Sequence, residues 1–163
     1  MNQTEQYQRD LFFMGKAVEL ALRAEREGNL PVGAVLVLDD SVIAEGPNAL
    51  LIPDFHPGKH AEMQALSNVP VELWPRAGEM TCYTTLEPCV MCCSSMLLHG
   101  IGRVVYGAID PQGGSSIILE HLPPYYDKQE SGKKRVFDWH GPLLPDVCDP
   151  LYQRAAKRFD ELF

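Results

Sequence analysis

The chain has 163 residues, 45% of them hydrophobic, which suits a single domain over residues 1–163 with a substantial core. Fourteen basic against twenty-two acidic residues leave a net charge of −8, a field that repels polyanions and counts against nucleic-acid binding. The amino-terminal MNQTEQYQRD lacks the basic-then-apolar pattern of a targeting signal, and no apolar stretch approaches the roughly 20 residues of a membrane helix. A cytoplasmic protein with no membrane partner is therefore expected.

In chain order, apolar residues recur at Leu11, Met14, Val18 and Ala21 with the period of an amphipathic helix, predicted over residues 10–27 with Gly28 at its end. PVGAVLVLDDSVIAEG then reads as a hairpin that turns at Asp39 and Asp40, its first strand apolar enough to be covered on both faces. Three prolines in PNALLIPDFHPGK rule out regular structure there, so this loop delivers the chain to His60.

HAEMQAL reads as a short helix and EMTCYTTLE as a strand. Pro88 is placed in the first turn of a helix CVMCCSSMLLHG closed by Gly100, and RVVYGAID is the next strand. Strand, helix, strand with short connections implies a parallel pair, so the class is α/β. Beyond Asp110 the pattern weakens: RVFDWHGPLL has room for a last strand, and a terminal helix is expected to open at Asp149 and Pro150.

Three of the five cysteines fall within PCVMCC, and an odd count in an acidic chain of this type favours reduced thiols. Cys89 and Cys92, three apart, share the first-turn face of a helix, where the positive helix end favours thiolate. Cys93 is rotated by about 100° from Cys92 and is expected to be a small buried hydrophobe. Two thiolates need a third ligand, and His60 is the best candidate. His60 and Glu62 point together only if their helix starts there, which the Pro57-Gly58 turn supports; Glu62 then stands beside the ion as a general acid/base.

His60-Ala61-Glu62 with Pro88-Cys89-Val90-Met91-Cys92 resembles the zinc nucleobase deaminases, whose signature is H-x-E with P-C-x-x-C. Over residues 28–110 the text is similar to the tRNA adenosine deaminase and guanine deaminase branch of the cytidine/deoxycytidylate deaminase superfamily. The resemblance implies a three-layer α/β/α sandwich around a five-stranded mixed sheet, in a homodimer. It implies one Zn2+ per chain on His60, Cys89 and Cys92, with Glu62 carrying a proton from the attacking water to the departing amine. It also places Asn48 on the base, Val32, Gly33, Ala34, Ala61 and Pro88 around it, and the Ala61 and Cys89 N–H groups at the developing charge.

Asn48 reads equally as a turn residue beside Pro47, and of Met96, Leu97 and Leu98 at least two read as core rather than dimer contact. Departures from the tRNA branch bear on the substrate. The chain is acidic, Ile109 stands where that branch has Arg before Asp110, and the terminal helix lacks a basic extension. Lys128, Lys133, Lys134 and Arg135 offer a phosphate grip or a solvated loop; Lys59 and His56 offer a contact to an anionic group or face water. Tyr125, Tyr126, Phe137 and Trp139 are read mostly as core. The leading expectation is a deaminase of a small nucleobase-type heterocycle, followed by tRNA adenosine editing, with a non-enzymatic zinc-stabilised interaction module a distant third.

Overall fold

In the computed structural model, which describes residues 2–126 and 138–162, the first helix opens on a reciprocal cap. The Asn2 side chain accepts from the Glu5 N–H, and Glu5 accepts from the Asn2 N–H, each at 2.9 Å. This capping box starts α1 at Gln3–Arg26, seven residues earlier than the apolar period alone suggests. Gly28 follows the helix with φ 91°, a backbone state that costs glycine nothing.

The hairpin strands are β1 (Gly33–Leu38) and β2 (Ser41–Pro47), joined by Asp39 and Asp40 at φ 49° and 55°, the two-residue turn whose twist suits a hairpin. Every residue of β1 is buried, as a strand covered on both faces requires. After the proline-rich loop come α2 (Ala61–Ser67), a 3-10 segment (Val71–Glu79) that apolar periodicity does not announce, and β3 (Thr81–Leu86).

Helix α3 covers Val90–His99 and ends at Gly100 in the left-handed conformation. Cys89 caps it, so Pro88 lies one residue before the cap and outside the first turn, a correction to the expected boundary. β4 (Arg103–Ala108) and β5 (Asp138–His140) complete the sheet, and α4 runs over Pro145–Asp160. Its start is four residues earlier than expected because Pro145, with a fixed φ and no N–H to satisfy, takes the first helical position.

The five strands lie in the order β2-β1-β3-β4-β5, antiparallel in the first two pairings and parallel in the last two, so the sheet is mixed. One face carries Phe13, Met14 and Ala17 of α1 and Cys148 of α4 against Val35, Tyr83 and Val105. The other carries Ala61, Ala65 and Leu66 of α2 and Cys93, Met96 and Leu97 of α3 against Leu36, Cys82 and Val104. This is the expected three-layer α/β/α sandwich. Gly33 and Gly46 let the layers close: an added Cβ would lie 2.2 Å from the Ala17 carbonyl oxygen in one case and 2.0 Å from that of Ala61 in the other. Among the described residues no helix is long and apolar enough to cross a membrane.

Asp10 fastens α1 to the sheet. Its carboxylate accepts from Tyr83 Oη at 2.7 Å and from both Arg103 Nη atoms at 2.7 and 2.8 Å, with Gln6 adding a fourth bond. Burial opposes the charge, and these donors outweigh it, holding the Asp10 pKa below the ordinary carboxylate value. Stability from this group is present above the unfolded carboxylate pKa of about 3.9 and is lost as pH falls through the lower folded value. Asp10→Ala is expected to cost about 3 kcal/mol at pH 7, leaving the Tyr83 hydroxyl and both Arg103 Nη atoms without this acceptor while Arg103 Nε keeps Asp138. In urea unfolding that deficit narrows below about pH 4, where the wild type loses the same contribution.

Candidate active site

The two short α-helices meet by their amino ends. His60 caps α2 and Cys89 caps α3, both in extended backbone, so each side chain leans over the start of its helix rather than along its flank. Cys92 joins Cys89 from the first turn of α3. His60 Nδ1 lies 3.5 Å from Cys89 Sγ and 3.6 Å from Cys92 Sγ, and the two sulfurs are 3.6 Å apart.

These separations fit zinc. A tetrahedral ion with bonds of about 2.0–2.1 Å to nitrogen and 2.3 Å to sulfur spaces such donors by roughly 3.5–3.8 Å. One imidazole and two thiolates are also the soft donor set zinc prefers, and three ligands leave a fourth position for water. His60, Cys89 and Cys92 are thus positioned to hold one ion.

Cys93 is fully buried in the core, and burial pushes its thiol pKa up, so the adjacent cysteine is a packing residue as expected. The hydrogen bond from Cys92, with that of His60, brings the Cys89 pKa down to about 4, while the partner thiolate, burial and Glu62 push Cys92 well above the thiol range. The hydrogen bond to Cys89 raises His60.

Glu62, the second residue of α2, is only 4% exposed and accepts from Thr84 Oγ1 of β3 at 2.9 Å. Burial is the main cause of its raised pKa, which suits a carboxyl group that must both take and give a proton near neutrality. It faces a cavity of about 310 Å3 that also carries His60 and Cys89 in its wall. Val32, Asn48 and Ala61 line this cavity; Gly33, Ala34 and Pro88 do not. Gly33 faces α1, Ala34 is core, and Pro88 is fully buried with its carbonyl accepting from Ser115. Asn48 Oδ1 accepts from the Leu50 N–H at 3.1 Å, so the residue shapes its turn and faces the cavity as well. Ala61 opens α2 and Cys89 caps α3, so their N–H groups are among those a helix leaves without an internal acceptor.

Other candidates fall elsewhere. His56 and Lys59 are not in the cavity wall, and Ile109, half exposed, borders a neighbouring groove. Of the aromatic residues, Tyr126 and Trp139 pack against the core and Tyr125 is exposed. Lys128, Lys133, Lys134, Arg135 and Phe137 lie outside the described residues. Met96 and Leu97 are core, whereas Leu98 is 64% exposed.

Sequence reasoning missed two parts of the wall. Glu87, Asp110 and Gln112 form one. Tyr152, Ala155, Ala156 and Phe159 of α4 form the other; their spacing of three, four and seven marks a helix face, but not whether it meets core or cavity.

Residues 7–108 match the model of the cytidine and deoxycytidylate deaminase zinc-binding region. The chain is 39% identical over 115 residues to a tRNA-specific adenosine deaminase of Bacillus subtilis, covering 69% of this chain and 70% of that protein. With the tRNA-specific adenosine deaminase of Haemophilus influenzae it shares 45% identity over 104 residues, 63% of this chain and 60% of that one. A solved structure from a study of A-to-I editing by tRNA:A34 deaminases superposes with a TM-score of 0.67 at 29% identity, covering 86% of this chain and 99% of that one. Residues 109–163, which include α4, lie beyond the family match.

Purified protein is expected to carry one zinc per chain by elemental analysis. Cys89→Ser and His60→Ala should each lower that content severalfold, and Cys93→Ala should leave it unchanged. Because zinc competes with protons on His60 and the thiols, chelator competition should show affinity falling as pH is lowered.

Proposed function

The chain belongs to the cytidine and deoxycytidylate deaminase zinc-binding family and is a zinc-dependent hydrolytic deaminase, and on that premise we propose that its substrate is adenosine within tRNA, converted to inosine. The deaminase chemistry is carried by one juxtaposition: a buried carboxyl group, Glu62, in the same cavity wall as His60 and Cys89 of the His60-Cys89-Cys92 donor set. The choice of substrate is supported by the names of the relatives, which favour the tRNA reading over the free heterocycle that charge alone suggests.

Zinc, when bound, supplies Lewis acidity that makes water a nucleophile near neutral pH. Glu62 takes the proton of the attacking water and delivers it to the exocyclic nitrogen, so that a C–O bond forms, the C–N bond breaks and ammonia leaves. Thr84 holds the Glu62 carboxyl by one oxygen. In this reading the Ala61 and Cys89 N–H groups, at two helix starts, offset charge as it develops on the ring. Val32 and Leu50 supply apolar wall for the base, and Asn48 supplies its amide. In tRNA the target sits in a single-stranded loop, where the cost of unstacking it is already low. The homodimer belongs to the same reading, supported by Val90, Met91 and Leu98 exposed along α3.

A second reading, a free nucleobase or nucleoside, is favoured by the net charge of −8 and by the cavity itself. Its wall includes the carboxylates of Glu87, Asp110 and Asp160 and, among the described residues, no Lys or Arg. An ammonia-release panel of tRNA, free bases, nucleosides and nucleotides decides between them. Inosine formation in tRNA is expected. Turnover of free compounds with none of tRNA would replace the first reading by the second. Glu62→Ala should keep its zinc and lose about 10²–10⁴-fold in kcat; retained turnover would remove Glu62 from the mechanism.

A further inference from the structure

Glu87 lies between the end of β3 and the cap of α3, two residues before Cys89, and is 5% exposed. Nothing in the chemistry above uses it, yet its carboxylate is tied at both ends to one chain segment. Oε2 accepts the Asp110 N–H at 3.1 Å; Oε1 accepts the Ser116 N–H at 3.0 Å and the Ser116 hydroxyl. A strut of this kind spans a loop at its first and last residues.

That loop is a wall of the cavity, where Asp110, Gln112 and Gly113 stand beside Glu87. It also touches the metal-ligand end of α3: Gly114 pairs with Cys89 in an isolated antiparallel bridge, and the Ser115 N–H and hydroxyl both donate to the Pro88 carbonyl. Outward, the same network reaches α4, where Tyr152 Oη donates to Asp110 at 3.2 Å, and β5, where Trp139 Nε1 donates to Ser116 Oγ at 3.1 Å. Gly114 makes room for the strut. A Cβ there would fall 2.4 Å from both Cδ and Oε2 of Glu87.

A buried carboxylate with several donors on one segment is far stronger than a neutral contact, because charge-assisted hydrogen bonds gain in a dry setting. Building on the deaminase reading, we propose that Glu87 is a positioning residue that holds residues 110–116 against the cavity and in register with Cys89, thereby setting the site's affinity for its substrate. It moves no proton in the reaction; its effect passes through the wall it fixes.

The test uses zinc-loaded wild type, Glu87→Gln and Gly114→Ala. Glutamine keeps the shape but accepts through one terminal atom only, so one end of the strut is lost. The Gly114→Ala methyl displaces the carboxylate from the other side. In both, amide hydrogen exchange over residues 110–116 should rise about tenfold while zinc stays at one per chain. KM for the substrate found in the panel should rise about tenfold, with kcat within about threefold. A residue that merely stabilises the fold would lower the melting temperature without that split between KM and kcat.

If either variant fails to fold, Ser116→Ala removes a single donor and should move exchange and KM in the same direction. Unchanged exchange, or faster exchange with unchanged KM, overturns the proposal. Loss of zinc in Glu87→Gln overturns it too, because the residue would then serve the metal rather than the wall. Should no compound be deaminated by the wild type, the deaminase reading falls, while the exchange measurement still decides whether Glu87 holds the loop.

Discussion

The meeting of two helix amino termini is the constraint on which this molecule turns. A short helix exposes free N–H groups and partial positive charge at its start, and here two such ends bring their cap residues to one set of donors. The arrangement favours thiolate on Cys89 and lets a histidine and a cysteine reach one point from cap positions, where the chain has not yet adopted helical direction. In a helix interior, His60 and Glu62 would diverge by about 200°. At the cap both lean into one cavity, ligand and proton carrier side by side.

The rest of the fold keeps those ends in place. β3 and β4 are parallel, so α3 must cross between them and begin where β3 ends. α2 is pressed onto β2 so closely that only a glycine fits at position 46. On the far face, the Asp10 cluster pins α1 to β3 and β4. The two layers have separate cores, one dominated by aliphatic side chains of α2 and α3, the other by Phe13, Met14 and Tyr83. Between them they cover both faces of the buried β1.

Much of this was legible from residue order. The His-x-Glu and Pro-Cys-x-x-Cys spacings carry their own geometry, because three residues are one helical turn and two residues are meaningful only at a helix end. Asp39 and Asp40 announced the hairpin, and Cys93 was distinguishable from its neighbour by angle alone. What escaped was written in contacts distant in sequence. Glu87 is an ordinary glutamate until Asp110 and Ser116 fold back upon it. The face of Tyr152, Ala155 and Phe159 has the period of a buried stripe, and period does not say whether a stripe meets side chains or an empty space. Pro145 starting α4, rather than Pro150, is a choice between two plausible first-turn prolines that local pattern does not make. On the substrate, the net charge of −8 counts against a polyanion and the relatives, tRNA-specific adenosine deaminases, count for one; residue order alone does not weigh the two.

The position of α4 in the chain has an evolutionary corollary. The zinc donors and Glu62 all lie within the first 108 residues, whereas a whole side of the cavity comes from the last helix. One side of the wall is therefore encoded apart from the reacting groups, while Val32, Asn48 and Leu50 add the rest from within the matched region. Substitutions on the cavity side of α4, at Tyr152, Ala156 or Phe159, reshape the space offered to a substrate without touching the zinc donors or Glu62, whereas Cys148, Leu151 and Ala155 are held by the core.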